Sequence, residues 1–243
     1  MKKRTLALVL AVALVFGVAV GGTVAYLTST DNVKNTFTVG SVNIKMDEAK
    51  VNTDGTPVEG ADRVQANDYL LIPGHTYTKD PTVTVLKGSE ESYVRMKVTF
   101  NNAEAIIAMC TDPEFAEDGP TGVEDAFPLI RMVNFVEMSA GKWDGLVPDN
   151  MFDTEEMLSN PKYFVKDGDT LTYYFYYNEK VAAPDADKVL EVLFDSIKVP
   201  EWVTAEQLNK LNDFEIDVVA EAVQADGFNN AAEAWASTFD AAK

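Results

Sequence analysis

From residue 93 to residue 100 the chain alternates without interruption, with Val94, Met96, Val98 and Phe100 on one side and Arg95, Lys97 and Thr99 on the other. A two-residue period over that length predicts a sheet strand with one face in a core. A second run occupies residues 170–177, where Leu171, Tyr173, Phe175 and Tyr177 share one side and Thr172, Tyr174 and Tyr176 the other. Both of its faces carry apolar rings, which implies burial on two sides or a partner-binding surface. Residues 33–46 set Phe37 and Val39 against Thr36 and Thr38. After Gly40-Ser41, Val42, Ile44 and Met46 alternate with Asn43 and Lys45. That reads as two short strands, or one strand bulged at the glycine. Further strands are predicted after Pro81 (Val83 and Val85 against Thr82 and Thr84), over residues 192–199 up to Pro200, and over residues 214–222.

Helical signals are few and separate. Residues 102–110 read as a short helix with Ile106, Ile107 and Met109 beside the sole cysteine, Cys110. Thr204 with Gln207 three residues on forms a capping box, with Val203 placed to staple against Leu208. Asn230 with Glu233 caps a last helix over residues 231–239, where Trp235 and Phe239 share a face. Asp54-Gly55 and Gly88-Ser89-Glu90-Glu91 read as turns, and residues 47–68 as polar and turn-rich. Residues 101–165 are irregular, with acidic loops near Glu117-Asp118-Gly119 and strands near residues 130–138, and read as an insertion. Strands without regular strand–helix alternation predict a mainly β fold, an antiparallel β-sandwich with short helical insertions.

The first forty residues read differently. Lys2-Lys3-Arg4 precedes an apolar run over residues 6–20, then Gly21-Gly22 and Thr23-Val24-Ala25. A positive start, a short apolar stretch and a small-residue exit make a secretory signal, with Thr23 and Ala25 placing the cut before Tyr26. The competing reading is an uncleaved anchor, since the apolar run stretches toward Leu27. Residues 26–243 then form one sandwich domain, as no Pro/Gly/Ser-rich linker divides them. The product is secreted, to the extracellular matrix or the cell surface, and touches a membrane only through the uncleaved leader.

The chain holds 39 Asp and Glu against 20 Lys and Arg, a net charge of −19. Because the leader carries three basic residues and no acid, the mature charge becomes −22. Such a surface opposes nucleic acid and anionic lipid and favours solubility or basic partners. At 47% hydrophobic residues the chain still has material for an ordinary core. With one cysteine there is no internal disulfide, so stability comes from packing.

Candidate chemistry is sparse. His75 is the sole histidine, which excludes the paired-histidine zinc motif of helical metalloproteases. A Ser-His-Asp triad through His75 lacks a Gly-x-Ser-x-Gly elbow. Asp167-Gly168-Asp169 and Asp185-Ala186-Asp187 lack the spacing of a calcium loop and read as turns before strands. A loosely built calcium site from separate loops stays open. Cys110 reads as a buried, inert thiol. The reading is therefore no enzyme and no required cofactor.

Gly21 to Thr28, residues 35–44, the Leu71-Ile72-Pro73-Gly74 turn leading to Lys79-Asp80-Pro81, and the late segment ending Ala222-Val223-Gln224-Ala225-Asp226-Gly227-Phe228 together resemble the TasA/camelysin family of exported Gram-positive proteins. Residues 101–165 have no counterpart in that likeness. The resemblance implies a jelly-roll-like sandwich, removal of the leader by a SipW-type signal peptidase, and assembly into biofilm matrix fibres. In that assembly the N-terminal strand of one subunit completes the sheet of the next, and accessory matrix proteins are further partners. The donor here would run from Tyr26 to about Val39, with Val33, Phe37 and Val39 as anchors; the plain alternative is an intramolecular first strand. Because some family members are classed as metalloproteases, a camelysin-like cell-surface protease is a second expectation. An adhesin or sugar-binding module using Tyr174 and Tyr176 is a third.

Overall fold

A computed structural model describes residues 28–31, 42–111, 123–136, 141–146, 151–211 and 213–240. Among these the chain is mainly β, and every strand pair is antiparallel. The strands are β1 (Thr28–Asp31), β2 (Ile44–Asp47), β3 (Thr76–Thr78), β4 (Thr82–Val85), β5 (Ser89–Phe100), β6 (Val133–Phe135) and β7 (Trp143–Asp144). They continue with β8 (Phe164–Asp167), β9 (Thr170–Tyr177), β10 (Val181–Ala183), β11 (Lys188–Val189), β12 (Phe194–Lys198) and β13 (Ile216–Gln224). The helices are α1 (Ala103–Cys110), α2 (Phe127–Met132), α3 (Met151–Ser159), α4 (Ala205–Leu208) and α5 (Ala231–Thr238).

The large sheet runs β1, β13, β5, β9, with β10 continuing beside β5 and β7 and β8 sharing the far edge of β9. Two three-stranded sheets, β11-β4-β2 and β3-β12-β6, contribute to the same core. The alternation in β5 does what it predicts: Val94, Met96, Val98 and Phe100 are at most 1% exposed. Each such side chain taken from water contributes about 1.5–3 kcal/mol. Leu171, Tyr173 and Phe175 of β9 join them.

β5 begins at Ser89, where the sequence predicts a turn through Glu91. Pairing with β10 (Val181 opposite Ser92, Ala183 opposite Ser89) draws those residues into the strand, and the tight turn is left to Gly88 at φ +85°. The described residues of 101–165, read from the sequence as an irregular insertion, contribute to the core and the sheets. Ile106, Met109, Leu129, Met132 and Leu146 lie in the core, and β6, β7 and β8 complete sheets. Ile130 is helical in α2, because Pro128 sits in its first turn, and only Val133–Phe135 is extended.

The polar stretch after β2 is held by ion pairs and hydrogen bonds more than by apolar burial. The Arg63 guanidinium donates to Asp47 (2.5 Å), to Asp80 (2.8 Å) and to the Thr82 hydroxyl (2.9 Å), tying the excursion to the starts of β4 and the end of β2. Asn67 donates to Glu48 and accepts from the Val51 amide, while Lys79 meets Glu48 at 2.8 Å. Gly55 makes the predicted turn at φ +77° with the Tyr77 backbone close against it. Capping also follows the sequence: Thr204 and Gln207 form a complete capping box, and Asn230 accepts from the Glu233 amide.

Candidate functional site

β13 is the strand on which the candidate site turns. Along one edge it pairs with β5 at all nine positions, from Ile216 opposite Phe100 to Gln224 opposite Ser92. Along the other edge the described partner is β1, and it covers only Ala220 to Val223: Thr28 faces Val223, Ser29 faces Ala222, Thr30 faces Glu221 and Asp31 faces Ala220. Four residues make a short edge strand, paired with β13 through its backbone. β2 approaches both β1 and β13, so this edge is also where the large sheet comes nearest the β11-β4-β2 sheet.

Beside the first half of β13 lies a cleft of about 690 Å³. Its floor includes Met46, Leu71, Ile197, Leu208, Phe214 and Ile216, most of them half-buried. Its rim carries Asp68, Asp213, Glu215 and Asp217, all exposed and none in an ion pair among the described residues. The one lining cation, Lys79, is committed to Glu48, and Asp47 is taken by Arg63 and Lys45. Burial works against ionisation of Asp47, yet hydrogen bonds from Lys45 and Arg63 outweigh it and hold its carboxyl below the usual range. Burial raises the Tyr69 hydroxyl far above its ordinary value, so it stays a neutral wall. Among the described residues the site thus offers a β13 edge paired only at Ala220 to Val223, an apolar floor and a negative rim.

The outer face of the same sheet holds a different cluster. Arg95, on the side of β5 that the alternation marks as polar, is 2% exposed. Its Nε donates to Glu221 of β13 at 2.6 Å and its two terminal nitrogens to Asp240 at 3.0 and 3.1 Å. Four rings surround it: Trp235 at 4.5 Å, Tyr174 at 5.0 Å, Phe239 at 5.5 Å and Tyr176 at 5.9 Å. Burial disfavours the charge, but Asp240 and Glu221 more than offset this and keep the guanidinium protonated. α5 supplies Trp235, the residue capping its end, Phe239, supplies a second ring, and the helix lies across the face. Tyr174 is buried and Tyr176 half-buried there, beneath the C-terminal helix instead of between two sheets. A buried Tyr174 presents no face to a sugar.

The remaining sequence candidates lie apart from one another and make local contacts. His75 sits with Nε2 2.7 Å from the Asp54 carbonyl and its ring 4.7 Å from that of Tyr77, bracing the Gly55 turn. Cys110 is buried, and desolvation pushes its thiol far above the ordinary value. Gly168 and Asp169 form the hairpin between β8 and β9, while Asp187 accepts from the Lys87 amide beside β11. Among the described residues no group of three or more His, Cys, Asp or Glu could hold a metal ion. Thr23, Ala25, Tyr26, Val33, Phe37 and Val39 lie outside the described residues. The Arg95 cluster was foreshadowed only by a strand arginine with tyrosines on a neighbouring strand. The cleft is built from segments too far apart in sequence to leave any local signal. Comparison of the chain with protein families, curated proteins and solved structures finds no match.

Proposed function

We propose that the chain is a secreted structural subunit of extracellular matrix fibres that assembles head to tail by donating its N-terminal strand after the leader is removed. The observation that carries this reading is the position of β1: a four-residue edge strand joined to β13, at a seam where two sheets approach. An identical segment from another copy can make the same backbone bonds, and a head-to-tail exchange whose rotation does not close grows as an open filament. Val33, Phe37 and Val39 are the proposed anchors, filling apolar space beside β13. The likeness to the TasA/camelysin family, including its jelly-roll-like topology, supports the same reading. The partners are then other copies, accessory matrix proteins, and a SipW-type peptidase during export, without nucleic acid and with membrane contact only before cleavage. The subunit works without a catalytic step or a cofactor.

Electron microscopy of protein beginning at Tyr26, compared with protein lacking residues 26–34, tests the reading. Filaments from the first and monomers from the second are expected. Filaments from both overturn strand donation, and monomers from both overturn the fibre role.

A further inference from the structure

The register of β1 on β13 carries more than the existence of an edge. Thr28 faces Val223 and Asp31 faces Ala220 in an antiparallel ladder. An incoming strand that continued that ladder would meet Val219, Val218, Asp217 and Ile216 in turn, with residues 32, 33, 34 and 35. Resting on the strand-donation reading, we propose that the β13 edge from Ile216 to Val219 receives residues 32–35 of a neighbouring copy, and that Lys34 of the donor, set opposite Asp217, selects the register.

Three observations converge on this pairing. Ile216 and Val218 turn toward the core cluster, whereas Glu215 and Asp217 are exposed on the alternate face. In a donor that kept this register and alternation, Val33 would fall opposite Val218 and Phe37 opposite Phe214 at the cleft floor, with Lys34 on the other face. Lys34 is the only charged residue between positions 32 and 41, in a chain with twice as many acids as bases. Asp217 has no ion pair among the described residues: its neighbour across β5 is Thr99, and nearby Lys97 is turned to Glu221 at 3.3 Å. Glu215 and Asp213 on the same rim deepen the negative potential. A slip of one residue would send Lys34 into the apolar floor and Val33 into water.

Opposite charges set directly across an antiparallel pair attract and like charges there repel. The test is a charge swap in protein beginning at Tyr26, read by pelleting and electron microscopy. Lys34→Glu and Asp217→Lys, each alone, should raise the concentration needed for filaments about fivefold or more. Both changes in one chain should restore assembly. Mixing the two single variants should also restore it, because each then donates to the other across a matched pair. Wild-type filaments with undiminished single variants would overturn the Lys34–Asp217 pairing while leaving strand donation intact. Rescue by the double variant without rescue by mixing places the pair inside one chain and overturns the proposal. Failure of the wild type to form filaments defeats the strand-donation reading itself. In that case, single variants that melt lower and a double variant that recovers would assign the pair to the monomer.

Discussion

Arg95 on β5 and Glu221 on β13 meet at 2.6 Å with only 2% and 4% of their surfaces exposed. The two strands that carry the sheet are therefore joined by an ion pair as well as by their ladder, and Glu221 faces Thr30 of β1 in register. Removing one partner of such a pair leaves the other charge stranded in an apolar setting.

Arg95→Ala should cost about 3–5 kcal/mol of unfolding free energy, measured by urea denaturation. Arg95→Met combined with Glu221→Leu should recover much of that loss, since the charges that lose a partner, Asp240 and Lys97, are about a third exposed and reach water. Recovery no better than in the single variant would mean that the rings of Tyr174, Trp235 and Phe239 need the guanidinium itself.

Asn230→Ala removes the side-chain acceptor for the Glu233 amide at the start of α5 and should cost about 1 kcal/mol. Trp235 is buried against the arginine, so its fluorescence should shift to longer wavelength at lower denaturant than the global transition. Coincident transitions would show that α5 unfolds only with the whole sheet.

Gly55→Ala should destabilise by about 2 kcal/mol or more, through a positive φ of +77° and a new Cβ that would lie 2.6 Å from the Tyr77 Cα. The cost falls on backbone, which cannot swing aside. Gly60→Ala, at φ +72° with open space around it, should show the conformational part alone. Equal losses at the two positions would refute the steric part.

Asp47 contributes to acid sensitivity with a definite sign. Its folded pKa lies below the ordinary 3.8, so the folded state binds its proton less readily than the unfolded state. Its contribution is complete above about pH 5, fades as pH falls past 3.8, and is gone below the depressed folded value. Asp47→Asn should lower stability at pH 7 and flatten the acid limb of the stability–pH curve. An unchanged acid limb would assign that limb to other carboxylates.

Cys110 should resist a thiol reagent such as DTNB in the folded protein at pH 8 and react fully in urea, because burial disfavours its thiolate. Fast labelling without denaturant would contradict its position in the core.

The sequence patterns recovered β5, β9 and the caps of α4 and α5 because those signals are local: a two-residue period, or a hydroxyl or amide three residues before its partner. The turn at Asp54-Gly55 was legible for the same reason. What escaped was decided by distant partners. Arg95 alternates as a solvent-facing residue, and only a helix 136 positions later in the chain, beginning at Ala231, makes that face an interior. Ser89 joins β5 because β10 lies alongside, and the cleft gathers residues from position 46 to position 218. The core role of Leu129 was hidden because its short helix follows an acidic stretch of sequence with no hydrophobic period.

α5 is laid over Tyr93, Arg95, Tyr176 and Val223, so that part of the large sheet's outer face is covered by the chain's own helix. Laminated cross-β packing needs two bare sheet surfaces about 10 Å apart. If copies join at the β13 edge as proposed, this cover predicts a string of folded beads in place of laminated sheets.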